Sequence, residues 1–203
     1  MSTPTLELWI EFASTYSHVA AHRIDAVAAA RGVRVLWRPF LLGPIFRDQG
    51  LDDSPFNVYT LKGAYMWRDL ERLCAKHQIP FRRPSIFPRN GLLAARVATV
   101  ADAEPWQGEL IRGVYRASFG DDQDISDPTC ITRELERAGC DDPAAWIERA
   151  GTDAVKQRLR ERTDEARRLG IFGAPSLVSG RELFWGQDRI EEALDHCVSG
   201  ATR

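Results

Sequence analysis

The first forty residues switch between two hydrophobic patterns. Residues 6–12 mix alternating polar positions with aromatic side chains, which predicts a β-strand. Residues 18–31 are rich in alanine, with apolar positions at helical spacing, and predict a helix that Gly32 ends. Residues 33–40 return to the β pattern. Because the connections are short, this β-α-β unit predicts parallel strands joined by a right-handed crossover.

The middle of the chain, residues 61–169, shows almost no β pattern. It carries several stretches with apolar residues at helical spacing, which predict a block of helices. Asp127-Pro128 and Asp142-Pro143 each put a capping side chain before a proline, and they predict the starts of two short helices.

The β pattern returns near the end of the chain. Residues 176–185 predict a hairpin with a turn at 179–181. A last helix follows, and Asp188 and Glu191 have the spacing of a capping box at its start.

The predicted order is therefore β-α-β, a helical block, then β-β-α. This order is that of an α/β thioredoxin-like core with a large all-helical insertion. We expect residues 1–45 and 170–203 to form the two parts of the core, and residues 46–169 to form a helical insertion, or lid, over the sheet. Pro175 stands directly before the third predicted strand, where thioredoxin-like folds carry a cis proline.

Composition and charge narrow the classes of function. The chain has 203 residues, 44% of them hydrophobic and 28% charged, as in a folded globular protein. The 27 Lys and Arg residues are balanced by 29 Asp and Glu residues, which argues against nucleic-acid binding. No apolar run approaches the ~18 residues of a membrane span, and the start lacks the layout of a signal peptide. We expect a cytoplasmic protein with neither nucleic-acid nor membrane partners.

The cysteines and histidines predict no metal site. Cys74, Cys130, Cys140 and Cys197 are far apart, and no C-x-x-C pair occurs. With four histidines, no zinc-type ligand spacing can be assembled. We expect the cysteines to be small buried side chains or surface thiols rather than a disulfide framework.

Four segments carry a resemblance to a known family: 12–17 (FASTYS), 65–70 (YMWRDL), 171–176 (IFGAPS) and 184–189 (FWGQDR). Together they resemble the 2-hydroxychromene-2-carboxylate isomerases, which group with kappa-class glutathione transferases and DsbA-like thioredoxin proteins. The resemblance implies glutathione as cosubstrate and a homodimer. A disulfide oxidoreductase has C-x-x-C at residues 14–17, and serine at both ends here excludes dithiol exchange at that position.

The resemblance also implies which residues bind glutathione. Ser14 stands at the start of the first helix, where its hydroxyl and nearby N–H groups would stabilise a thiolate, unless it is only a helix cap. Ala174 matches the position whose backbone pairs with the cysteinyl part of glutathione. Gly186, Gln187 and Asp188 match the segment that holds the γ-glutamyl end. The Asp188 carboxylate would accept a hydrogen bond from the ammonium group of the γ-glutamyl end, unless Asp188 only caps the last helix.

Three further residues are expected around the substrate. Arg47 would meet an anionic group, unless it is a solvated surface residue. Phe87 would lie against the substrate ring or pack within the lid. Asp52 stands where relatives often carry an asparagine that contacts glutathione, and its charge would repel a carboxylate there. Trp185 is expected to be a packing residue.

Three functions remain open on these residues. The first is a glutathione-dependent isomerase, in which the thiolate adds to the unsaturated ring system of the substrate and later leaves. The second is a kappa-type glutathione transferase acting on another electrophile. The third is a non-catalytic thioredoxin-like binding protein, which Asp52 favours and Ser14 disfavours.

Overall fold

The computed structural model describes residues 3–200 and confirms the predicted order of elements. The elements are β1 (Thr5–Ile10), α1 (Thr15–Ala29), β2 (Arg34–Pro39), α2 (Leu42–Asp48), α3 (Pro55–Val58), α4 (Thr60–His77), α5 (Leu92–Val100), α6 (Gln107–Phe119), α7 (Pro128–Arg137), α8 (Pro143–Ala150), α9 (Asp153–Arg168), β3 (Ser176–Ser179), β4 (Glu182–Trp185), a 3-10 turn (Gln187–Arg189) and α10 (Ile190–Gly200). The fold is an α/β thioredoxin-like fold in which a long helical segment separates β2 from β3.

The four strands form one mixed sheet in the order β2-β1-β3-β4. β1 and β2 run parallel, with Leu8 opposite Trp37, and α1 provides the crossover that a parallel pair requires. β3 is antiparallel to both β1 and β4, with Leu177 opposite Leu8 and opposite Phe184. The predicted hairpin at residues 176–185 is therefore confirmed.

Helices cover both faces of β1, one face completely and the other at Trp9, near the end of the strand. Leu6, Leu8 and Ile10 point into the main core, which they share with α1, α4, α5 and α6. Trp9 points to the opposite face, where it meets Phe40 and the apolar side of α2 and α9. The helices between β2 and β3 thus pack on both faces of the sheet.

Two of the predicted helix caps are confirmed and one is wrong. Asp127 and Asp142 accept from backbone N–H groups of α7 and α8, as expected. The capping box at Asp188 is wrong, because residues Gln187–Arg189 form a 3-10 turn that has no side-chain cap. Glu191 instead forms an ion pair with Arg23 at 2.6 Å.

The segment around Arg47 contains two short helices, α2 and α3. Arg47 lies in the last turn of α2. Ser54 caps α3 by accepting from the N–H of Phe56, and Pro55 occupies the first helical position.

Two further features bear on the function classes. Within residues 3–200, no helix has the length and apolar character needed to cross a membrane. In the same part of the chain, no group of three or more His, Cys, Asp or Glu side chains could hold a metal ion. The four cysteines are buried and form no disulfide.

Candidate active site

A cleft of about 1230 Å³ opens where β1 ends, between the sheet and the helical segment. Its walls include the segment that follows β1, the α2–α3 region, the segment before α5, one side of α4 and the two ends of the β3–β4 hairpin. All eight predicted site residues line it: Ser14, Arg47, Asp52, Phe87, Ala174, Gly186, Gln187 and Asp188. The structure therefore brings together residues that lie up to 174 positions apart in the chain (14 to 188).

Ser14 is the N-cap of α1, as predicted, and its backbone is extended at φ −76° and ψ 118°. Its Oγ accepts from the N–H of Ser17 at 3.2 Å and donates to the carbonyl of Ala174 at 2.9 Å. The hydroxyl thus joins the start of α1 to the segment before β3. Because it is a donor near an unpaired helix end, it suits an anion placed there.

The segment before β3 has the expected backbone form. The peptide bond between Ala174 and Pro175 is cis. The carbonyl of Pro175 accepts from the N–H of Gly186 at 3.0 Å, so two predicted binding segments lie side by side. Gly186 has φ +115°, and a Cβ there would lie 2.4 Å from Oδ1 of Asp188, so the position requires glycine. A second cis bond, which the sequence did not predict, precedes Pro88.

Arg23 of α1 fixes the segment that was assigned to the γ-glutamyl end. Its Nη1 donates to the side-chain Oε1 of Gln187 at 2.6 Å and to the backbone carbonyl of Gln187 at 2.8 Å. Its Nη2 donates to Glu191 at 2.6 Å. The amide oxygen of Gln187 is therefore engaged by Arg23, whereas Asp188 is exposed. Sequence reasoning missed Arg23, because a single arginine on a helix gives no signal of such a role.

The three residues expected near the substrate differ in their surroundings. Arg47 and Asp52 are exposed, and neither has an oppositely charged side chain within 4.0 Å among residues 3–200. Phe87 is partly buried, and its ring packs edge-on against Trp67 with centroids 4.9 Å apart. The Phe87 carbonyl accepts from Asn57 at 3.3 Å, which ties this wall of the cleft to α3.

Glu11 is an acidic residue of the cleft that the sequence analysis did not select. It follows β1 and lies three positions before Ser14, and its side chain is partly buried. Its Oε2 accepts from the N–H of Ala13 at 2.9 Å. Burial raises the pKa of Glu11 to about 7, although the backbone N–H groups of Ala13 and Ser14 offset part of the shift. The sequence signal that could have identified Glu11 is an acidic residue placed directly after an apolar strand.

Aromatic side chains also border the cleft. The hydroxyl of Tyr16 donates to Asp69 at 3.0 Å, and burial together with Asp69 raises the Tyr16 pKa, so the phenol stays neutral. Phe172 and Trp185 are about half exposed, with ring centroids 4.9 Å apart. Trp185 therefore packs against Phe172, as expected of a packing residue, but 54% of its surface is exposed, so it does not lie in the core.

Comparisons with known proteins identify relatives that match over most of their length. Human glutathione S-transferase kappa 1 is 28% identical over 202 residues, covering 92% of this chain and 88% of that protein. The 2-hydroxychromene-2-carboxylate isomerase of Sphingobium xenophagum is 26% identical over 190 residues, covering 93% and 95%. Both names are those of enzymes, in line with the expectation for this chain.

Solved structures show the same fold. A structure of 2-hydroxychromene-2-carboxylate isomerase superposes with a TM-score of 0.83 at 22% identity, covering 98% of each chain. The family model described as the DSBA-like thioredoxin domain matches residues 5–197, nearly the whole chain. The chain therefore belongs to the DSBA-like thioredoxin family.

Proposed function

We propose that the protein is a glutathione-dependent isomerase of the 2-hydroxychromene-2-carboxylate type. The observation that carries this proposal is the convergence of all eight predicted site residues on one cleft. Relatives named as isomerases and as kappa transferases support an enzyme over a non-catalytic binding protein. In the proposed reaction, a thiolate adds to the unsaturated ring system of the substrate and leaves after the bond has rotated.

Ser14 has the surroundings that a thiolate site needs. Its hydroxyl now donates to the Ala174 carbonyl, 2.9 Å away. A ligand N–H that bonds to the same carbonyl would compete for this oxygen and free the hydroxyl to donate to sulfur. The charge of the thiolate would also interact favourably with the start of α1, which lowers the pKa of the thiol.

The remaining walls of the cleft fit the rest of glutathione. Gly186 and Asp188 would hold the γ-glutamyl end, with the Asp188 carboxylate accepting from its ammonium group. Arg23 supports this binding site by fixing Gln187 through two hydrogen bonds. Ligand pockets commonly measure about 300–1000 Å³, so a cleft of about 1230 Å³ has room for glutathione and a second small molecule.

The substrate would lie on the side of the helical segment. Arg47 carries no ion pair within 4.0 Å in residues 3–200 and can meet an anionic group. Phe87 and the exposed ring of Trp185 offer apolar faces for an aromatic substrate. In this proposal residues 46–169 act as the lid of the cleft, residues 1–45 and 170–203 form the core, and the enzyme works in the cytoplasm as a homodimer.

A kappa-type glutathione transferase is the second candidate function. The 28% identity to human glutathione S-transferase kappa 1 favours it. Both reactions need the same thiolate site, so they differ in the electrophile that the cleft accepts. Turnover of chromene carboxylates and of aryl halides, measured with the same enzyme preparation, separates the two functions.

The proposal is tested by isomerisation assays with and without glutathione. The purified protein should accelerate isomerisation of the chromene carboxylate only when glutathione is present. Equal rates with and without glutathione contradict the proposal, and no acceleration of either reaction favours the non-catalytic alternative.

Ser14→Ala tests the role of the hydroxyl. Loss of a hydrogen bond to a charged group, worth ~1.5–3 kcal/mol, should lower turnover by about 10- to 150-fold. Ser17→Ala is the matched control, because its hydroxyl lies one turn further along α1 and does not line the cleft. A Ser14→Ala variant with full activity would mean that the hydroxyl is only a helix cap.

A further inference from the structure

We propose that Glu11 is a catalytic residue of this cleft, which accepts the thiol proton when the glutathione thiolate forms beside Ser14. The inference rests on the proposed function, because it assigns a proton acceptor to the same thiolate site. The sulfur and the carboxylate would share one proton between them.

The geometry sets Glu11 and Ser14 at the same end of α1. The Oε2 of Glu11 accepts from the N–H of Ala13, the residue next to Ser14. The backbone carbonyl of Glu11 accepts from the N–H of Ser14 at 2.9 Å and from the hydroxyl of Tyr115 at 2.8 Å. Glu11 is thus held by its backbone on two sides, and its carboxylate lies between Ala13 and Gly91, two residues that line the cleft with it.

No cationic side chain in the described part of the chain pairs with Glu11. No Lys, Arg or His side chain lies within 4.0 Å of its carboxylate among residues 3–200. On the side of α6 the ionisable neighbour is Tyr115, whose pKa is raised by burial and by Glu11, so it stays neutral. On the side of the segment before α5, Gly91 lies beside the carboxylate, since a Cβ added to it would be 3.6 Å from Oε1 of Glu11. Arg89 of the same segment is paired with Asp122 instead of Glu11.

These surroundings make a second anion beside Glu11 unfavourable. A thiolate and an ionised carboxylate at one helix end repel each other, so one of the two groups must hold a proton. The pKa of Glu11 is raised by burial to about 7, close to the ~8.5 of an ordinary thiol. Proton transfer between groups of similar pKa is efficient near neutral pH.

The proposed step conserves atoms and charge. The S–H bond of glutathione breaks, and its proton forms an O–H bond on the Glu11 carboxylate. The negative charge moves from the carboxylate to the sulfur, where the hydroxyl of Ser14 can donate to it. When the thiolate has left the substrate at the end of the reaction, Glu11 can return the proton.

A proton inventory tests the proposal directly. At about pH 8, Glu11 is ionised and most free glutathione is a thiol. Glutathione is titrated into the protein in buffers of different ionisation enthalpy, which counts the protons released. Ultraviolet absorbance counts the thiolate formed on the protein. In the wild type, we expect close to zero protons released per thiolate formed, because Glu11 keeps the proton.

Variants separate this step from the rest of the site. Glu11→Gln cannot accept a proton, so about one proton should be released per thiolate formed. Glu7→Gln is the matched control on β1, because Glu7 pairs with Arg38 outside the cleft and the ratio should stay near zero.

The outcomes are distinguishable. A ratio near one in the wild type overturns the role of Glu11 while leaving the glutathione site intact, and this measurement decides the matter even if Glu11→Gln fails to fold. Absence of binding heat at millimolar glutathione overturns the proposed function itself, and the role of Glu11 with it.

Discussion

Glu11→Gln should change how the stability of the protein depends on pH. Burial raises the pKa of Glu11 in the folded protein from its ordinary 4.5 to about 7. The folded state therefore binds a proton more tightly than the unfolded state between these two values. Raising the pH through this range removes the proton and lowers the free energy of unfolding.

The size of this effect follows from the shift. A difference of about 2.5 pKa units (7 minus 4.5), at 1.36 kcal/mol per unit, corresponds to about 3 kcal/mol once the carboxylate is fully ionised. Glu11 is partly buried and borders an open cleft, so solvent screening should reduce the measured value to between about 1 and 3 kcal/mol. Glutamine has nearly the same shape, can still accept from the N–H of Ala13 and does not ionise.

Urea unfolding of the wild type and Glu11→Gln provides the assay. At about pH 4, below the ordinary pKa of 4.5, the two proteins should have nearly equal free energies of unfolding, because Glu11 is then mostly protonated in both the folded and the unfolded state. At about pH 8 the glutamine variant should be more stable, by about 1–3 kcal/mol. A difference that does not change with pH, or a variant that is less stable at the higher pH, would refute the raised pKa.

Three other substitutions test the walls of the cleft. Asp52→Asn should change glutathione affinity by less than about threefold in calorimetry, because Asp52 is exposed and solvated; a tenfold gain would mean that its charge opposes binding. Arg23→Met removes both hydrogen bonds to Gln187, and we expect a higher KM for glutathione with little change in kcat. An unchanged KM would contradict the role of Arg23 in supporting the glutathione site. Gly173→Ala would put a Cβ 2.5 Å from Nε1 of Trp185. Because the exposed ring can move, the free energy of unfolding should change by less than about 1 kcal/mol, whereas the affinity for glutathione should fall. Unchanged affinity would mean that the Trp185 ring can move without disturbing the glutathione site.

Local signals in the sequence were enough to predict the fold. Strand and helix periodicities, the proline-marked caps at Asp127 and Asp142, and the hairpin at 176–185 each depend on neighbouring residues. The position of Ser14 at the start of α1 was predictable for the same reason. The other predicted site residues came from the family resemblance and not from local patterns, and all of them line the cleft at the end of β1.

Contacts between distant parts of the chain were not predictable. The raised pKa of Glu11 depends on burial that the folded chain creates around it, with Tyr115, 104 residues away, on one side. Arg23 and Gln187 are 164 residues apart, so no spacing in the sequence relates them. The prediction of a capping box at Asp188 failed because the backbone there forms a 3-10 turn, a structure that is frequent at the ends of α-helices.

The central claim is that Ser14 stabilises a glutathione thiolate in this cleft, and the pKa of the bound thiol tests it most directly. Ultraviolet absorbance of the thiolate is followed against pH for glutathione bound to the wild type and to Ser14→Ala. In the wild type we expect a thiol pKa at least about one unit below the ~8.5 of an ordinary thiol, and in Ser14→Ala we expect most of that shift to be lost. The same thiol pKa in both proteins would contradict the claim.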